Sequence, residues 1–473
     1  MTIGVYAQLP PAETPELGEA TTAEASHFEP NAFLRIGKDN SVTVLIKHLE
    51  MGQGTYTGLA TLVAEELDAD WSQIRSEGAP ADASRYNNLN WGKAQGTGGS
   101  SAIANSFQPM RLAGAAAREM LVAAAAALWQ VDAGEIGVMR GMIRHPKSGR
   151  SASFGELADA ASMQPLPEPQ LLVLKEPKNF IYIGKQLPRK DTGKQDSTAI
   201  FTQDLRLEGM LTALVTHPPR FGAKLRNVDD HQARAVNGVV DVVRIPTGVA
   251  VLALDFWSAK NGRDKLVLTW DERNAFKRSS TQIMADYRAL AEKPGVIARS
   301  DGDVKRNLEK AEQLIEADYE FPFLAHAAME PMNCVARVTE AGCELWNGEQ
   351  LQTLDQGAVA SLLGIKLEQV QIHMLYAGGS FGRRGNPHSD YVLEAVQIAR
   401  HRPDIGQAYP SSCTGAEKMI CVPATTVLPI STSCARRSIS RATPLSRGAQ
   451  TGGGEGGLGI QAACGACSWR CAA

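Results

Sequence analysis

The stretch Gly378-Gly379-Ser380-Phe381-Gly382-Arg383-Arg384-Gly385 decides how the rest of this chain is read. An apolar run, Val370-Gln371-Ile372-His373-Met374-Leu375-Tyr376, leads into it, and Tyr391 to Arg400 leaves it with helical spacing. Strand, glycine turn and helix together bring backbone against an anionic or bulky polar ligand. Glycine removes the Cβ that would hold the ligand off, and the helix start offers unpaired N–H groups. Arg383 and Arg384 add fixed positive charge with forked donors. A tight structural turn carrying two solvated arginines would give the same letters. A second glycine turn of the same build, near the other end of the chain, favours the ligand-binding reading.

That second turn is Met51-Gly52-Gln53-Gly54. Phe33, Leu34 and Ile36, then Val42, Val44 and Ile46, alternate as strands before it. A helix is expected from near Thr57, burying Leu59, Leu62, Val63 and Leu67. A dinucleotide fingerprint would need a third glycine where Thr57 stands. A third cluster, Gly96-Thr97-Gly98-Gly99-Ser100-Ser101, opens onto an alanine-rich helix with Leu112, Ala116, Met120 and Ala123 on one stripe. Ser100 and Ser101 are placed to cap backbone donors or to meet a ligand, capping being the commoner role.

Leu211–Val215, Val239–Val243, Val249–Ala253 and Leu266–Trp270 read as successive strands of a separate sheet-rich domain, followed by a charged helix from Lys305 to about Glu316. His326 and Glu330 have the spacing of an acid/base pair, although a hydrogen-bonded histidine beside a surface carboxylate is the commoner outcome. With 473 residues, the chain has material for two to four domains. Its 48 basic and 51 acidic residues point to neither nucleic acid nor a membrane surface as partner. No apolar run reads as a membrane span, and residues 1–30 read as a disordered leader without an export signal.

In this order, the pieces from about residue 30 to 400 resemble the large subunit of the molybdenum hydroxylases, the xanthine oxidase and aldehyde oxidoreductase family. Within that family they look most like the bacterial isoquinoline 1-oxidoreductase β-subunit type. The resemblance is carried by Glu50-Met51-Gly52-Gln53-Gly54, Gly98-Gly99-Ser100, Phe256-Trp257-Ser258-Ala259, Met329-Glu330-Pro331-Met332-Asn333-Cys334, Trp346-Asn347-Gly348-Glu349-Gln350 and Gly379-Ser380-Phe381-Gly382-Arg383-Arg384.

The resemblance implies a mixed α/β, α+β molybdopterin-binding fold with an inserted a/b hammerhead domain, incomplete at the C-terminus. The segments would be a leader (1–30), a first molybdopterin-binding segment (31–185), the hammerhead (186–290), a second binding segment (291–400) and a tail (401–473). Gly52, Gln53, Gly54, Gly98, Gly99, Ser100, Gln350, Gly379, Ser380, Phe381, Gly382 and Arg383 would bind the cofactor. That cofactor would be molybdopterin, as the cytosine dinucleotide, whose own sulfurs hold the molybdenum. This explains why no His/Cys/Asp cluster with ligand spacing precedes residue 400.

The implied reaction is hydroxylation of an aldehyde or N-heteroaromatic compound with water as oxygen source. Electrons would pass to 2Fe–2S clusters on a separate small subunit, with a cytochrome c as a further acceptor. No catalytic residue is assigned, because the family's general-base glutamate lies beyond the retained region. The family expectation is periplasmic; the start as written, lacking a signal, would be cytoplasmic.

The tail departs from the family. After Pro403 there are three acidic residues, and Cys413, Cys421, Cys434, Cys464, Cys467 and Cys471 crowd a stretch without periodicity. Reading Ala416 to Val427 one nucleotide back permits Arg-Glu-Asp-Asp-Met-Arg-Ala-Gly-Tyr-Tyr-Arg, a family-like segment. The reading is therefore a frameshift between Ala399 and Tyr409, a truncated and inactive chain, and a Cys464/Cys467 pair that is coding noise. Two alternatives stay open: an NAD(P)-dependent dehydrogenase using one glycine turn for phosphate, and a non-enzymatic protein binding zinc through the cysteine tail.

Overall fold

The computed structural model describes residues 31–190, 199–297, 299, 301–315, 317–321 and 323–401, with the backbone alone of 27–30, 316, 418–424, 435–440 and 471–472. The chain forms two compact units, and the first takes residues 1–45, 60–77 and 108–187. Its main sheet runs in chain order through His27–Asn31, Leu34–Gly37, Val42–Ile46 and Ile74–Gly78. The alternation read from the sequence is real: Leu34, Ile36, Val42 and Val44 are buried. Thr55–Leu67 is the expected helix, with Leu59, Leu62, Val63 and Leu67 inside.

The alanine-rich helix is Phe107–Trp129. Its buried face runs through Ala113, Ala117, Leu121 and Ala124, while Leu112 and Ala123 sit at the margin. Of the stripe expected from the sequence, Ala116 and Met120 are buried, and alanine on every side leaves its edges poorly marked. Close approach fixes the face: a Cβ on Gly114 would stand 2.6 Å from the Val63 carbonyl oxygen. Contrary to the sequence reading, this helix is long and apolar enough to cross a membrane, with a mean hydropathy of 1.4. That holds by length and composition only, since just over half of the window is buried inside the protein.

The second unit takes residues 46–59, 78–107 and 188–473. Its seven-stranded sheet has the order Val239–Ile245, Gly248–Ala253, Leu211–Thr216, Lys418–Ala424, Met332–Val338, Cys343–Asn347, Val370–Met374. Three of the strands assigned to a separate sheet domain therefore share one sheet with the strands that precede the Gly378 turn. The remaining one, Val267–Asp271, pairs with Lys224–Asp229 as a two-stranded ribbon. The backbone of Lys418–Ala424 lies in the middle, antiparallel to Met332–Val338 and parallel to Leu211–Thr216. The rest of 402–473, including the Cys464/Cys467 pair, lies outside the described residues apart from two further backbone strands, Ala435–Ser440 and Cys471–Ala472.

Asp390–Arg400 covers this sheet, burying Tyr391, Val392, Ala395, Val396 and Ala399 in a core with Cys334, Ala336, Leu345 and Ile372. The charged helix is shorter than expected. It spans Val304–Glu309, and Leu314–Tyr319 is a strand, the apolar Leu314 and Ile315 following a polar break at Glu312-Gln313.

Candidate functional site

All the glycine turns belong to the second unit, and one hub ties them together. The Gln350 side chain donates from Nε2 to the Thr97 carbonyl (2.8 Å), and its Oε1 accepts the Ser380 hydroxyl (2.6 Å). Its backbone oxygen accepts the Thr97 N–H at 2.9 Å. Thr97 Oγ1 in turn accepts the Leu49 N–H (2.8 Å), and the Ala377 N–H donates to the Glu50 carbonyl (3.0 Å). Turns near residues 52, 98, 350 and 380 are thereby fixed to one another. The Tyr56 and Tyr376 rings pack 5.0 Å apart beneath them.

Each turn is held from within. Glu50, 2 % exposed, curls back so that Oε1 accepts the N–H groups of Gly52 (2.8 Å) and Gly54 (3.0 Å) and Oε2 accepts that of Tyr56 (2.9 Å). A carboxylate of the chain thus occupies the donors at the helix start that a phosphate would use. The Gln53 side chain is likewise turned inward, donating to the Leu49 carbonyl and accepting the Met51 N–H. The dehydrogenase alternative needs a glycine turn with free N–H groups for pyrophosphate, and here Glu50 already takes those of Gly52, Gly54 and Tyr56.

The arginines are neither ligand-facing nor solvated. Arg384, fully buried, donates to Glu330 Oε2 (2.8 Å) and to the Gly379 carbonyl (3.0 Å). Arg383 forks onto Asp390 at 3.0 and 2.8 Å. Glu330 is no acid/base partner for His326: its carboxylate is spent on Arg384, on the Gly378 N–H (2.7 Å) and on Asn333 Nδ2 (3.0 Å). Burial and the nearby Arg383 charge push the His326 pKa down.

Behind the third turn lies a buried set that the sequence reading missed. His48 Nδ1 meets the Gly96 carbonyl (3.1 Å), with Asn105 on its other nitrogen. Asn88 donates to Ser101 Oγ (2.8 Å), and Lys47 donates to the Asn87 carbonyl (2.9 Å). Ser101 also donates to the Gly98 carbonyl, so it closes the turn; the long helix starts only at Phe107. Trp91 stands where a Cβ on Gly96 would reach it at 2.6 Å, so only glycine fits there.

Burial and the Lys47 charge push the His48 pKa down to about 4, from an ordinary 6.5. Between those values the unfolded chain binds a proton that the folded chain refuses, so stability falls as pH drops below about 6.5. The expected loss by pH 4 is on the order of 3 kcal/mol. His48→Asn should flatten this limb in thermal melts between pH 4 and 7.

What remains on the outside of these loops is a set of exposed turn tips. Gly52, Gln53, Gly99, Ser100, Phe381 and Gly382 are exposed. Gly52, Gly99 and Gly382 have φ of +107°, +63° and +89°, and a Cβ on any of them would meet nothing within 4 Å. Arg189, also unforeseen, reaches this edge, donating to the Gly52 carbonyl at 3.3 Å. Open space before three Cβ-less backbones on mutually fixed loops suits a broad ligand with polar edges, such as a pterin. Among the described residues no group of three or more His, Cys, Asp or Glu could hold a metal directly.

Comparison with known proteins agrees. Two models described as molybdopterin cofactor-binding domains match residues 13–203 and 290–402. The chain is 32% identical over 434 residues to the beta subunit of isoquinoline 1-oxidoreductase from Brevundimonas diminuta, covering 82% of this chain and 55% of that one. It is 30% identical over 388 residues to a membrane-bound aldehyde dehydrogenase of Gluconacetobacter polyoxogenes, whose name specifies pyrroloquinoline-quinone, covering 79% and 49%. It is 27% identical over 405 residues to a nicotinate dehydrogenase subunit of Pseudomonas putida, covering 83% and 33%. The fold is thus that of a molybdopterin-binding protein. The chain belongs to the molybdenum hydroxylase large-subunit family, and it spans about half the length of the first two of these relatives.

Proposed function

We propose that the chain is the cofactor-binding part of an oxidoreductase that hydroxylates aldehydes or N-heteroaromatic compounds with water as the oxygen source. The observation that carries this reading is that open glycine tips, Gly52, Gly99 and Gly382, stand on loops joined through Gln350. The names of the relatives, an isoquinoline and a nicotinate enzyme and an aldehyde dehydrogenase, support the substrate classes. When bound, the molybdenum cofactor would supply the two-electron redox centre. The chain's own part is to seat and orient it: Gly52, Gly54, Gly98, Gly99, Gly379 and Gly382 by close backbone approach, Ser100 and Phe381 from the rim, Gln53, Gln350, Ser380 and Arg383 by fixing the loops.

The cytosine dinucleotide form is the reading for the cofactor, with Arg189, which reaches the Gly52 tip, as a positive charge for its phosphates. The electron path runs to a small 2Fe–2S partner and then to a cytochrome c. Two of the relatives are themselves named as subunits of larger enzymes, which supports a partner of this kind. Family expectation sets the assembly in the periplasm.

The test is cofactor content. The chain expressed with its molybdenum cofactor pathway should carry molybdenum and pterin, measured by elemental analysis and by fluorescence of the released pterin. Gly99→Val and Gly382→Val, filling open space at the tips, should cut occupancy at least tenfold. Unchanged occupancy in both variants, or a chain with no pterin at all, sinks the reading.

A further inference from the structure

Beneath Gln350 lies a buried acid pair to which the proposed function assigns no role. Glu349 and Asp355 are 0 % and 1 % exposed, and among the described residues neither has a cationic partner within ion-pair distance. Glu349 accepts the Leu351 N–H at Oε1 (2.9 Å) and Asn347 Nδ2 at Oε2 (3.0 Å). Both Asp355 oxygens lack a hydrogen-bond partner of good geometry, with the Glu349 carboxylate and the Ser389 side chain beside them, and Asn347 Oδ1 and Gln352 Oε1 are likewise unfilled. Two adjacent ionised carboxylates in this setting would repel each other in a low dielectric and leave acceptors unfilled, each at about 1–3 kcal/mol.

A buried cation and a shared proton both answer that problem, and the backbone N–H that Leu351 gives Glu349, together with the amide orientations, favours the proton. Asn347 turns Nδ2 toward Glu349 and Tyr391 Oη, and Gln352 turns Nε2 toward the Glu349 carbonyl and Met374 Sδ. N–H groups, not oxygens, are therefore presented to Glu349, which a metal ion would not tolerate. The charged and titratable groups facing the pair are Arg384, already tied to Glu330, with Asp390, already tied to Arg383, and Tyr391. Arg384 keeps a buried Nη1 without a hydrogen-bond partner, but no ion pair joins either arginine to Glu349 or Asp355 among the described residues.

We propose that Glu349 and Asp355 share one proton, and that this proton fixes the Asn347–Gln352 turn from which Gln350 reaches Thr97 and Ser380. Both acids are positioning residues for Gln350. The pair stands whether or not Gln350 touches a cofactor. Burial first, then the Glu349 charge, holds the Asp355 carboxyl well above the usual carboxylate range, in keeping with an acid that stays protonated at neutral pH.

The test uses the full chain near pH 7. Its infrared spectrum should contain the carbonyl stretch of a protonated carboxylic acid, shifted in D2O and lost in Asp355→Asn. Measured against Asp355→Asn, which shares the opposite His48 limb below about pH 6.5, the thermal midpoint should fall as pH rises from about 5 to about 9, because a raised folded pKa gives stability that is lost on the alkaline side. Asp355→Asn should remove that slope. Glu349→Gln serves if Asp355→Asn does not fold: the acid band should then move, because its partner charge is gone. An acid band unchanged by both substitutions overturns the proposal, as does a midpoint raised by added sodium, potassium, magnesium or calcium.

Discussion

Replacing Arg384 with methionine should lower the unfolding free energy of the chain by roughly 3–5 kcal/mol, the cost of leaving a buried charge without its partner. Arg384 is wholly enclosed and is the only cation within ion-pair distance of Glu330 among the described residues. Its guanidinium also holds the Gly379 carbonyl, and its own N–H donates to Ser380 Oγ at 3.1 Å. Loss of the side chain strands the Glu330 carboxylate and frees the turn that Gln350 braces. Arg384→Lys should recover little, since a point charge cannot serve the carbonyl and the carboxylate together. The double variant Arg384→Met with Glu330→Gln should be more stable than Arg384→Met alone, because the stranded charge is removed. Denaturant titration of the native chain, Arg384→Met, Glu330→Gln and the double variant closes the cycle. Equal stability of the double and single variants would show that the ion pair is not what holds the turn.

This prediction marks the limit of what the sequence discloses. Strand, turn and helix around residue 380 follow from apolar spacing and glycine, so the skeleton is legible: Val370–Met374 and Asp390–Arg400 stand where the letters put them. The order of motifs along the chain carries the family. What the letters do not disclose is which way polar side chains point. Two adjacent arginines in a turn read as exposed because arginine is seldom buried. Only the arrival of Glu330 and Asp390 from elsewhere makes their burial tolerable. Likewise the helix start at Thr55 reads as a free anion site until Glu50 is seen to fold back over it. His48 and Arg189 lay outside the glycine motifs, and nothing in local spacing pairs either with residues some 50 to 140 positions away.

Glu50 therefore makes the second large prediction. Its two oxygens satisfy three backbone donors at a turn where positive φ at Gly52 and Gly54 leaves those N–H groups converging on one point. Charged acceptors give roughly 1.5–3 kcal/mol per hydrogen bond, and contributions from one carboxylate are not additive. Glu50→Ala should thus cost about 3 kcal/mol and leave the Gly52 tip mobile. Glu50→Gln keeps one oxygen for the donors but brings an NH2 group against the others, so it should fall between alanine and the native chain. The functional consequence separates two views of this turn. If the glycine N–H groups were the anion site, removing Glu50 would open them, and binding of a phosphate-bearing cofactor would rise or hold. If the turn works as a preformed bare tip, cofactor occupancy should fall at least tenfold in Glu50→Ala, while added phosphate restores part of the lost stability by filling the vacated donors. Molybdenum content and thermal midpoints with and without phosphate measure both effects on the same preparations.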